Sequence, residues 1–63
     1  MPFPEAPHAQ FAVGRLNEAL NNRQGAIEAY RLVLANWPDV SIWASLARSR
    51  IIALEAGIPM IPQ

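Results

Sequence analysis

The stretch from Gly14 to Pro38 reads GRLNEALNNRQGAIEAYRLVLANWP. It holds two apolar-periodic segments, a polar break at Asn21-Asn22-Arg23-Gln24-Gly25 and a closing proline. Small residues, Gly14 and Ala26, sit at matching points of the two segments. This spacing predicts two short antiparallel helices that approach closely at those small residues. Gly14 costs about 1 kcal/mol inside a helix, so a helix that keeps it needs the space for a neighbour. Pro38 ends the unit by pushing Trp37 out of the helical region.

Working outward, the first helix is predicted over residues 8–21. Ala9, Ala12, Val13, Leu16, Ala19 and Leu20 recur on one side of it. Phe11 falls outside that stripe, which points it toward a neighbour. Asn22 is placed to cap a second helix over 23–36. Ala26, Ile27, Tyr30, Val33, Leu34 and Trp37 form a continuous apolar stripe there. Glu28 and Arg31 have the spacing of a surface ion pair, and Leu32 lies on the far side.

After Pro38, Asp39 or Ser41 is expected to cap a third helix over 40–56. Gly57 suits a left-handed C-cap, with Pro59 beyond it. This helix carries a broad apolar arc of Val40, Trp43, Ala44, Leu46, Ala47, Ile51, Ala53 and Leu54, with Ile52 outside it. One hairpin cannot cover so wide an arc. Arg50 sits inside the arc, where it reads as a fork for a partner's carboxylate or as a stem laid over apolar surface. Trp37 and Trp43 bracket the Pro38 turn as packing pegs.

Both ends are proline-rich. Residues 1–7 contain Pro2, Pro4 and Pro7 and read as an extended arm carrying Phe3, with Pro7 able to open the first helix. Residues 58–63 form an apolar tail with Ile58, Met60 and Ile61, broken by Pro59 and Pro62. It either folds back over the third helix or lies extended on a partner.

The resulting expectation is an all-α fold: an antiparallel helical hairpin plus a third helix over 8–57, flanked by extended arms. At 63 residues the chain has room for one small domain. A hydrophobic content of 52% is high for so small an interior and points to association. The chain has no cysteine, so no disulfide staples it, and this fits a cytoplasmic location. Net charge is zero and no basic tract exists, which removes the electrostatic footprint of a nucleic-acid binder. Met1-Pro2-Phe3-Pro4 lacks the features of a secretory signal, and no window reaches the roughly 20 apolar residues of a membrane span.

The residues that carry the hairpin resemble the tetratricopeptide repeat, a helical hairpin with a period of about 34 residues. Gly14 matches the small residue of that family's first helix, Ala26 the small residue at the helix contact, Tyr30 the large aromatic and Pro38 the closing proline. The first-helix pattern then returns as Trp43 followed by Leu46-Ala47. The resemblance covers one repeat and the first helix of a second. Asn17 stands where an aromatic is common, Arg50 stands at the matching place of the second unit, and Asn21 replaces a common turn glycine. The resemblance implies a helical fold and a role in protein interaction.

No chemistry-bearing constellation accompanies it. His8 is the sole imidazole, Ser41, Ser45 and Ser49 have no base beside them, and Gly14, Gly25 and Gly57 are isolated. The chain is expected to be no enzyme and to hold no cofactor or metal. Its expected role is a small accessory or assembly subunit that docks on a larger complex. The alternative is a structural protein that completes the repeat between identical chains, as a homo-oligomer. Phe3, Phe11, Trp43, Leu46, Arg50, Leu54, Ile58, Met60 and Ile61 are the candidate partner-binding residues. Gly14, Ala26, Tyr30 and Pro38 are the packing residues of the repeat.

Overall fold

The computed structural model describes residues 6–57. They form α1 (Pro7–Ala19), α2 (Arg23–Asn36) and α3 (Ser41–Ala56). Helix α1 packs along α2, α2 along α3, and α1 meets α3 only at a narrow contact. The fold is all-α, a hairpin plus a third helix. The arms carrying Phe3, Ile58, Met60 and Ile61 lie outside the described residues.

Local chemistry sets the helix ends. Pro7 is the first residue of α1, where its missing amide costs nothing. That helix stops at Ala19, earlier than the sequence suggests, because Asn21 takes a left-handed φ of 61°. Asparagine tolerates this conformation better than most residues, so it substitutes for a turn glycine. Asn22 caps α2, with its Oδ1 accepting from the Gly25 amide at 3.1 Å. Its Nδ2 donates to Asn17 Oδ1 at 2.9 Å, and Asn17 Nδ2 donates to the Val13 carbonyl at 2.8 Å. The asparagine found in place of an aromatic therefore fastens the turn. A side chain at Gly25 would strike this pair: a Cβ there would lie 2.5 Å from Asn22 Nδ2.

Trp37 leaves the helical region at φ −133° and ψ 54°, as the following proline requires. Helix α3 then starts at Ser41 after Val40, and no side chain caps it. The expected cap from Asp39 or Ser41 does not form. The Val40 amide instead reaches back to the Trp37 carbonyl at 3.2 Å, which turns the chain through backbone alone. Gly57 closes α3 in the left-handed conformation, φ 77°.

The core consists of Phe11, Ala26, Ile27, Tyr30, Val33, Ala47 and Ile51, with Leu34, Trp43 and Leu54 packed against it. Its centre is Tyr30 and Val33, both fully buried. The Tyr30 ring lies over Gly14, where a Cβ would come within 2.6 Å of Tyr30 Cδ1. The close approach expected at Gly14 is thus real, and the ring of Tyr30 is what occupies the space.

The buried side of α1 differs from the expected stripe. It is Gln10, Phe11 and Gly14, while Val13, Leu16 and Leu20 face outward. Gln10 is only 2% exposed and donates from Nε2 to the Ala29 carbonyl at 3.0 Å. A buried amide is tolerated because it is bonded. The reason for the reversal is steric: only the side carrying Gly14 lets α2 come close, so the polar Gln10 goes in with it.

Replacing Gly14 with alanine tests this packing. Alanine is the better helix former by about 1 kcal/mol, yet the new methyl must displace a fully buried ring. Urea unfolding followed by circular dichroism is expected to show Gly14→Ala less stable by about 1–2 kcal/mol. A stabilised variant would mean that Tyr30 does not need the space.

Candidate interaction site

A buried polar cluster joins the three helices. Glu18 follows Gly14 by one helical turn, so it shares the inward side of α1. Arg50 on α3 grips its carboxylate twice, with Nη2 at 2.7 Å from Oε1 and Nε at 3.2 Å from Oε2. The Tyr30 hydroxyl of α2 donates to Oε2 as well. The Glu18 side chain is 4% exposed and that of Arg50 21%. Among the described residues no buried side-chain polar atom lacks a partner.

The electrostatics follow from this geometry. Burial pushes the Glu18 carboxyl up, but the hydrogen bonds from Arg50 and Tyr30 and the charges of Arg50 and Arg15 outweigh it. They hold the group below its ordinary 4.5. Burial and the adjacent carboxylate push the Tyr30 hydroxyl well above its ordinary value. The Glu18 hydrogen bond raises Arg50 further, against the effect of burial.

Arg50 therefore finds its carboxylate within the same chain, and the fork expected for a partner is already filled. The predicted surface pair of Glu28 and Arg31 is also replaced. Arg31 reaches across to Glu55 of α3 at 2.9 Å. That pair is well exposed, and such pairs contribute little.

The remaining candidates separate into two groups. Phe11, expected to face a neighbour, is 7% exposed. Its ring lies 4.9 Å from that of Tyr30 and 5.3 Å from that of Trp43, both tilted, as aromatic pairs prefer. His8 rests beside Trp43 at 6.3 Å. Trp43 and Leu54 are partly buried against the core, and Gly14, Ala26 and Tyr30 form it. Pro38 is exposed in the turn. Of the described candidates, Leu46 alone is an exposed large apolar residue, at 44%. The outward surface also includes Leu16, Leu20, Ile42 and Ile52. Sequence reasoning assigned Leu16 and Leu20 to the interior, passed over Ile42, and placed Ile52 outside the apolar arc, where it is found. The bonded Gln10 and Glu18 were missed because a polar residue on an inner face looks like a helix surface. Their only local signal was a one-turn step on either side of Gly14.

The cluster makes two predictions. Arg50→Met leaves Glu18 buried without its cation. Breaking a buried pair costs about 3–5 kcal/mol, and the partial exposure of Arg50 lowers that to about 2–3. Chemical denaturation at neutral pH measures the loss; a change within error would show that the pair carries no weight. The pH dependence has a definite sign. The folded-state pKa of Glu18 is depressed, so its stabilisation is complete above the ordinary value of 4.5 and is lost as pH falls through the folded value. Melting temperature measured against pH is expected to drop on that acid limb, and Glu18→Gln should flatten the limb while lowering the plateau.

No family model matches the chain, and no solved structure matches it. It is similar to the TPR repeat-containing protein of Treponema pallidum (strain Nichols), 42% identical over 55 residues. That match covers 87% of this chain, which spans 23% of the relative's length. Gly14 at the close helix contact, the aromatic Tyr30 beneath it and Pro38 after the hairpin are the residues on which the resemblance in the sequence rests. This similarity and the three-helix fold fit a tetratricopeptide-repeat-like unit.

Proposed function

We propose that this chain is a non-catalytic protein-interaction module, a small accessory or assembly subunit that docks on a larger cytoplasmic complex through α3 and the terminal arms. The observation that carries this reading is the outward apolar surface. Leu46 is 44% exposed, Leu16 59%, Ile52 60%, Ile42 67% and Leu20 70%. Scattered exposed leucines are ordinary, but here α1 and α3 each present several of them from so small a domain. The similarity to a protein named for its repeats supports a role in protein contact. A module with this surface takes a protein partner with an apolar face, and zero net charge gives it no preference for nucleic acid.

The role is tested with Ile42→Glu and Leu46→Glu, alone and together. Both positions are exposed, so circular dichroism is expected to show unchanged helix content. Capture of partners by a tagged copy from the native cell is expected to fall at least tenfold for the double variant, about 1.4 kcal/mol or more of binding. Light scattering after size exclusion is run on the same samples. A discrete oligomer of the native chain that the double variant dissolves would assign the surface to identical chains instead. A native chain that is a monomer at micromolar concentration and captures nothing would overturn the reading.

A further inference from the structure

Helix α1 turns its clearest apolar stripe away from the interior. Ala9, Ala12, Val13, Leu16, Ala19 and Leu20 share one side, while Gln10, Phe11 and Gly14 are buried on the other. Val13, Leu16 and Leu20 are the large exposed residues of that stripe. The steps from Ala9 to Val13, Leu16 and Leu20 are four, three and four residues, the spacing of a seam that meets another helix. Ala12 and Ala19 run beside the seam, and side chains so small let a second helix come close. No residue of the stripe carries a charge.

The border of the stripe is basic. His8 and Arg15, seven residues apart, lie along the edge marked by Ala12 and Ala19, and both are exposed. The exposed Arg23 opens α2 just beyond Leu20. No acid of α1 offsets them, because Glu18 is buried and already engaged by Arg50 and Tyr30. Arg15 makes no ion pair among the described residues. A second copy of this helix would bring the same cations and no free carboxylate, so charge favours a different occupant. We propose that the outward side of α1 docks an amphipathic helix of another protein, apolar along its seam and acidic along the edge that meets His8 and Arg15. This surface is separate from Ile42 and Leu46 of α3, and the inference stands whatever meets them.

Two labelled synthetic helical peptides serve as probes, both with leucine along the seam. One carries glutamate at the flanking positions and the other lysine. The whole chain has zero net charge, so any preference between them is local. Fluorescence anisotropy at low salt is expected to show the glutamate peptide bound at least tenfold more tightly, and added salt should narrow the gap. Leu16→Glu with Leu20→Glu is expected to weaken that binding at least tenfold. Both side chains are exposed, so circular dichroism should show helix content retained. Arg15→Gln is expected to cut the preference at least threefold. Ile42→Glu with Leu46→Glu is expected to leave binding unchanged.

Equal binding of the two peptides, or no binding of either, would overturn the inference. So would a loss of binding caused by the Ile42 and Leu46 variant, which would put the docked helix on α3. A native oligomer that Leu16→Glu with Leu20→Glu dissolves, seen by light scattering, would also overturn it by assigning the stripe to identical chains.

Discussion

A buried carboxylate constrains this fold more than any apolar contact does. Glu18 is nearly inaccessible to water, and an unpaired charge there would be very costly. It is made tolerable by donors from both other helices, so its satisfaction fixes where those helices lie. The chain of dependence is short. Gly14 leaves space for the Tyr30 ring, which places the phenol within reach of Glu18. Glu18 then anchors Arg50 of α3. The narrow meeting of α1 and α3 is held by this ion pair and by Phe11 and His8 beside Trp43, whereas α1 and α2 are joined along their length.

The interior otherwise mixes small residues with large ones. Gly14, Ala26, Ala29, Ala44 and Ala47 are buried beside Phe11, Ile27, Tyr30, Val33 and Ile51. Small residues bring helix axes close but remove little apolar area from water. Much of the large apolar content therefore ends up outside, on Leu16, Leu20, Ile42, Leu46 and Ile52. The high hydrophobic fraction and the small core follow from the same choice. A helical unit of this kind gains its missing burial from neighbours.

What was legible in the sequence follows the same division. Helix α2 has a single apolar stripe, of which Ala26, Ile27, Tyr30 and Val33 are buried and Leu34 and Trp37 half-buried, while Ala29 is buried outside it. Its cap at Asn22, its end at Trp37 and the glycine cap of α3 were legible because each depends on one residue's own backbone preference. Helix α1 was misread because periodicity favours the side with the larger apolar residues, while packing favoured the side with glycine. Gln10 and Glu18 entered the interior by bonds to Ala29 and Arg50, far away in sequence. No local pattern marks such partners. Arg50 was recognised as an anomaly in an apolar arc, but its partner lay 32 residues back, so sequence spacing along α3 left another chain as the apparent source of the carboxylate.

The way the cluster is spent bears on how such a unit joins anything else. Aligning the two first-helix patterns, Gly14 corresponds to Ala47, and Glu18 to Ile51. The inner carboxylate of α1 therefore has no counterpart in α3, and the polar cluster occurs once. Its charges face one another across the α1–α3 contact and leave no surplus on the outward sides. The large apolar residues on those sides are aliphatic, and the exposed Arg31 and Glu55 neutralise each other. Any contact made there would combine apolar burial at Ile42 and Leu46 with the exposed guanidinium of Arg48. Reduced apolar area at Ile42 or Leu46 should weaken such a contact strongly.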